Sequence, residues 1–98
     1  MNLNLEIAKV KGAEIINVID NIPYCKNVLF DKPQPFDYQN DWNYLGPLED
    51  ELLNAEWYLE KVGDHYQWQH YEKRLLISSE HRGTATCMAY LKEFSDET

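Results

Sequence analysis

The chain is poor in cysteine, glycine and basic residues, and no long apolar run occurs in it. Cys25 and Cys87 form no Cys-x-x-Cys pair, and the histidines form no His-x-x-x-His, so the usual spacings of a soft metal site are missing. The four glycines build no phosphate-cradling loop, and Ser78-Ser79 lies in no Gly-x-Ser-x-Gly elbow. The longest apolar run, Cys87 to Leu91, falls far short of the roughly 18 residues that suggest a membrane span. The start Met1-Asn2-Leu3-Asn4-Leu5-Glu6 has no basic segment followed by a long apolar stretch, so export is not expected. A cytoplasmic protein with reduced thiols is the corresponding expectation.

The shortage of bases is local. Residues 1–36 carry four acids and four bases, and residues 65–98 carry five acids and four bases. Residues 37–64 carry eight acids (Asp37, Asp41, Glu49, Asp50, Glu51, Glu56, Glu60, Asp64) against Lys61 alone. Most of the net charge of -8 therefore belongs to the middle of the chain. Such a field repels phosphate backbones and attracts basic surfaces, which disfavours direct nucleic-acid binding.

Ninety-eight residues, 44% of them hydrophobic, suit one domain with one core, 1–98. Leu3, Ile7 and Val10 recur at helical spacing and Gly12 follows as a C-terminal cap, with Asn2 or Asn4 available as the N-cap. The β-branched run 14–19 reads as a strand, and 23–30 as a second extended piece. Lys32-Pro33-Gln34-Pro35 opens a connector running to about Asn40. Asp41 caps a second helix whose stripe is Trp42, Leu45, Leu48, Leu52 and Leu53. Gly46-Pro47 is expected to interrupt it, so that the main helix restarts at Pro47 with Glu49, Asp50 and Glu51 in its first turn, where the helix dipole favours anions.

Residues 56–72 read as an aromatic-rich β-hairpin turning at Gly63-Asp64, with Trp57 and Leu59 on one face and Tyr58 and Glu60 on the other. Residues 74–78 either extend this hairpin past a bulge or form another strand. Thr84 is a candidate cap for a third helix along Met88, Leu91 and Phe94 or along Cys87, Leu91 and Phe94, and the tail 95–98 is expected to fray. The fold class expected is α+β, an antiparallel sheet with an aromatic-rich hairpin packed with about three helices as an α/β/α-type sandwich.

Few residues point to chemistry. A strand offset of five places His65 and His70 on opposite faces, so they do not converge on a metal. Cys87 falls on an apolar helical stripe, where thiols are packing. Lys26 beside Cys25 is the one feature favouring a reactive thiol, and one basic neighbour is commonplace. Glu56 and Glu60 pair as carboxylates, with nothing to separate them from a solvated strand face. Trp57, Tyr58, Tyr66, Trp68 and Tyr71 resemble a stacking platform without basic companions, which suits cross-strand packing or a protein interface better than bases.

Pro35-Phe36-Asp37-Tyr38-Gln39-Asn40-Asp41-Trp42, followed by Leu45-Gly46-Pro47-Leu48, resembles the small phage and prophage proteins of the phage ABA-sandwich family. Gly83-Thr84 leading into Ala85-Thr86-Cys87-Met88-Ala89 is similar to the family's last helix, and Ile7-Ala8-Lys9-Val10-Lys11-Gly12 to its opening one. The resemblance implies helices on an antiparallel sheet and a bacteriophage origin, hence a bacterial host cytoplasm. It implies no activity, catalytic residue, cofactor or metal.

The function expected is that of a small acidic phage accessory protein, non-enzymatic, binding a host or defence protein with a basic surface. Glu49, Asp50, Glu51, Glu56, Glu60, Trp57 and Tyr58 are its candidate contact residues. A small-ligand sensor or enzyme, and a structural piece self-associating through the aromatic hairpin, are the alternatives.

Overall fold

Asn2 begins the first helix: its side chain accepts from the Leu5 N–H at 3.2 Å, and α1 runs Leu3–Val10. Asn4, the other cap considered, is instead buried and ties α1 to the loop before the second helix. Its Nδ2 donates to Asp37 Oδ1 at 3.1 Å and its Oδ1 accepts from the Gln39 N–H at 3.0 Å. These contacts come from the computed structural model, which describes residues 2–95. Residues 96–98 of the tail expected to fray lie outside the described residues.

Strands β1 (Ile15–Ile19) and β2 (Ile22–Cys25) form a hairpin whose two loop residues, Asp20 and Asn21, both have positive φ, as a type I′ turn requires. The extended piece expected over 23–30 ends at Cys25. Beyond it the Lys26 N–H closes on the Glu14 carbonyl at 2.9 Å, and Asn27 starts a turn. The proline connector is not wholly loop: β3 (Gln34–Pro35) pairs with Tyr24 and Cys25 at the sheet edge, where a missing N–H is tolerated.

Asp41 caps α2 (Trp42–Asn54) by accepting from the Asn43 N–H at 3.0 Å. The interruption expected at Gly46-Pro47 does not occur, and Pro47 lies inside one continuous helix. Proline costs a helix interior about 3 kcal/mol, whereas burying Leu45, Leu48 and Leu52 on one unbroken face gains about 1.5–3 kcal/mol each. Burial wins. The first turn consequently holds no acid, so Glu49, Asp50 and Glu51 have no dipole role there. Trp42 and Leu53 are half or more exposed and fall outside the stripe.

The second sheet is a meander of β4 (Tyr58–Val62), β5 (His65–His70) and β6 (Leu75–Ser79), with Leu59 opposite Trp68 and Trp68 opposite Ile77. Residues 75–79 are thus a separate strand, entered after Arg74 at φ +56. The strands expected in one sheet divide into two three-stranded antiparallel sheets with three helices, an α+β fold. Helix α3 (Arg82–Phe94) packs against β5 and β6 and against α1 and α2, while α1 also reaches β2. The other face of the β4–β6 sheet carries Tyr58, Glu60, Val62, Leu76 and Ser78, all exposed.

The cap of α3 is His81, not Thr84: its Nδ1 accepts from the Thr84 N–H at 3.1 Å. Of the two apolar stripes considered, the one through Cys87 faces inward with Ala85, Ala89 and Tyr90, while Met88 is exposed. The core joins Ile7, Leu48, Leu52, Trp57, Trp68 and both cysteines. Both thiols are free. Burial pushes Cys25 up despite the neighbouring Lys26, and pushes Cys87 up to about 12, so neither offers a thiolate near neutrality.

Candidate functional site

Sheet pairing brings residues from three strands onto one solvent-facing surface. Tyr58 stands opposite Gln69, and Gln69 opposite Leu76, so these three form a row across the outer face. Tyr71 follows β5, and its ring centroid lies 5.8 Å from that of Tyr58. Tyr58, Tyr71 and Leu76 are exposed by 51%, 68% and 58% respectively, an apolar and aromatic surface left uncovered. Glu60, next along β4, accepts from Gln69 Nε2 at 3.2 Å.

The acidic rim comes from two turns. Glu56 sits at φ +70 between α2 and β4, and Glu72 lies in the turn between β5 and β6. Their carboxylates and a ring nitrogen of His70 all lie within 4.8 Å of one another. Among the described residues neither Glu56 nor Glu72 has an ion-pair partner. Lys73 could have neutralised them, but its ammonium is committed to Glu93 at 2.7 and 2.8 Å.

His70 forms the floor of this cluster, buried edge-on to Trp57 at 5.6 Å. Its Nδ1 accepts from the Lys73 N–H at 3.2 Å, which leaves the proton of the neutral ring on Nε2. A ring so held has no free lone pair for a metal, and Glu56, His70 and Glu72 do not fit a metal centre as they stand. The other histidines serve elsewhere: His81 caps α3, and His65 Nε2 lies 4.0 Å from Glu80.

The candidate contact residues divide. Tyr58 and Glu60 lie on the outer face, Glu56 is exposed in the turn before β4, and Asp50 is exposed on α2. Glu51 is half-committed, since it accepts from Lys11 Nζ and from the Tyr90 hydroxyl. Glu49 and Trp57 must be withdrawn as surface contacts. Glu49 is only 6% exposed and receives the Arg82 guanidinium at 2.9 and 2.6 Å and the Thr86 hydroxyl at 3.0 Å. Trp57 is wholly buried, and its Nε1 donates to Glu93 Oε1 at 2.8 Å. Glu72 and Leu76 were missed because Leu76 enters the row of Tyr58 only through the register of β6 on β5, and Glu72 meets Glu56 only through the turn between those strands.

Glu93 supports the surface from beneath. Burial would raise its pKa, but hydrogen bonds from Lys73 and Trp57 outweigh this and hold it below the ordinary 4.5. A carboxyl depressed by folding stabilises the fold above its unfolded pKa, and the contribution is lost as pH falls through the folded value. The melting temperature of the wild type should therefore drop from about pH 5 downwards, and Glu93→Gln should flatten that acid limb. An unchanged limb in Glu93→Gln, followed by thermal melts across the range, would assign the acid sensitivity elsewhere.

Comparison with protein-family models, with curated proteins and with solved structures finds no match to the chain.

Proposed function

We propose that this chain is a non-catalytic protein-binding module that takes a partner with a basic surface on the outer face of the β4–β6 sheet. The observation carrying this reading is the pair Glu56 and Glu72, without an ion-pair partner among the described residues, in turns that adjoin in sequence the exposed Tyr58 and Tyr71. Two close carboxylates repel each other, and an arriving guanidinium or ammonium relieves that repulsion while its stem or plane lies on a tyrosine face. Tyrosine surrounded by such a rim is also the composition of interface centres.

Burial of both thiols supports binding over nucleophilic catalysis. Self-association through this same hairpin is disfavoured, because a second copy would set Glu56, Glu60 and Glu72 against their own counterparts. Among the described residues no helix is long and apolar enough to cross a membrane. A partner inside a bacterial host, such as a defence factor with a basic face, fits the resemblance to phage accessory proteins.

The test is capture of partners from a bacterial lysate on immobilised protein, at low and at high salt. The wild type should retain a basic protein that salt elutes and that Glu56→Lys/Glu72→Lys fails to retain, while Asp64→Lys in the β4–β5 turn behaves as wild type. Retention indifferent to both salt and the double reversal would overturn the reading.

A further inference from the structure

The opposite sheet presents two features that the acidic face does not use. The first is the connection between β2 and β3, where Val28, Leu29 and Phe30 stand in solvent, 97%, 81% and 56% exposed. Three consecutive exposed apolar residues are a liability unless something covers them. Nor is this a loose loop. The Phe30 N–H bonds the Asn27 carbonyl and the Leu29 N–H bonds the Asn27 side chain, each at 3.0 Å, so the turn holds its apolar tip in a fixed shape. Lys26, whose ammonium lies 4.0 Å from Glu14, and Lys32 flank it, with Asp31 directly after Phe30.

The second feature is a shallow groove of about 520 Å³ that is largely open to solvent. Ile22, Tyr24, Pro35 and the exposed Trp42 supply its apolar walls, and Asp37 and Asp41 its charge. These carboxylates accept hydrogen bonds from Asn4, Asn40 and Asn43, but among the described residues neither meets a cation. An apolar finger bracketed by lysines and an aromatic groove bracketed by aspartates are complementary in both shape class and charge.

The exposure of Val28 and Leu29 means that the finger does not fill the groove of its own molecule. Strands β2 and β3 both lead into the finger and contribute to the groove, so one sheet carries the two features. An exchange of fingers about a two-fold axis would be a closed and self-complementary arrangement. Charge favours the same region: residues 22–42 hold Lys26 and Lys32 against Asp31, Asp37 and Asp41, a net charge of -1 out of the whole chain's -8. Two strongly acidic copies meet there with the least repulsion.

We infer that the protein forms a symmetric dimer by exchanging the Val28-Leu29-Phe30 finger into the groove of Tyr24, Pro35 and Trp42. The acidic outer face of the β4–β6 sheet stays free, so this inference does not depend on the proposed partner.

Sedimentation velocity over a concentration series tests it. The wild type should reach twice the chain mass, and Leu29→Asp should weaken dimerisation roughly 10- to 100-fold, as expected for one buried leucine. Leu53→Asp, an exposed apolar residue on α2, should leave the dimer intact. Thermal melts check that Leu29→Asp still folds, and transfer between Leu29 methyls and the Trp42 ring in a mixed-isotope sample locates the contact. A wild type that stays monomeric at high concentration, whether or not another protein occupies the groove, overturns the inference. So does a dimer indifferent to Leu29→Asp.

Discussion

Replacing Gly83 with alanine should lower the melting temperature by about 10–20 °C, the shift corresponding to a loss of roughly 3 kcal/mol in a domain of this size. Gly83 is buried in the first turn of α3, and a Cβ there would lie 1.7 Å from the Gln39 carbonyl oxygen and 2.6 Å from its carbon. These are backbone atoms, unable to swing aside. The loop that holds them is itself fixed, since the Gln39 N–H bonds Asn4, the Gln39 side chain bonds Thr84, and Tyr38 is buried beside it. Alanine favours a helix by up to about 1 kcal/mol over glycine, which is too little to offset the clash. Gly46→Ala is the internal control. Its Cβ would meet only the Trp42 side chain, at 3.6 Å, so propensity should prevail and the melting temperature hold or rise.

Arg82→Ala should cost about 1–3 kcal/mol, the range for leaving a buried polar group short of its partner. Glu49 lies in the interior with both carboxylate oxygens taken by the Arg82 fork, while Thr86 links it to Trp68 through a 2.9 Å bond from the indole Nε1. Without Arg82 this carboxylate keeps one hydroxyl donor and whatever water enters the space the guanidinium leaves. Glu49→Met should be milder, because the Arg82 side chain is 41% exposed and can be hydrated, and Thr86 still receives Trp68. The double variant Glu49→Met/Arg82→Ala should therefore be more stable than Arg82→Ala alone. Urea unfolding of the four proteins gives the coupling directly, and additivity would remove the pair from the account.

Local signals were legible in the sequence, and long-range partnerships were not. Helix α1 and the hairpin around Gly63 follow from periodicity and caps that lie within a few residues of one another, whereas the choice of Cys87 over Met88 for the inward stripe of α3 is made by packing. Pro47 misled because its local cost is visible and the burial of Leu45, Leu48 and Leu52 that overrides it is tertiary. His81 was passed over as a cap because imidazole stands outside the usual Ser, Thr, Asp and Asn set, although its Nδ1 does the same work.

The candidate surface divides along the same line. Strand alternation puts Tyr58 and Glu60 on one face and Trp57 and Leu59 on the other, and the packing of the sheet decides that the first is the outer one. Glu49 and Trp57 were assigned to the surface wrongly, since their partners Arg82 and Glu93 come from 33 and 36 residues away. Leu76 joins the surface through pairing of β6 with β5, which no local pattern announces. The division of strands into two sheets, rather than one, is a pairing choice of the same kind.

The central claim, that the outer face of the β4–β6 sheet receives a basic partner, is tested most directly by photo-crosslinking in a bacterial cell. Benzoylphenylalanine introduced in place of Tyr71 should yield a discrete adduct with a protein that is basic at its crosslinked surface, and the adduct should vanish in the Glu56→Lys/Glu72→Lys background. An adduct that persists in that background, or one obtained equally with the probe at Val18 in the other sheet, would contradict it.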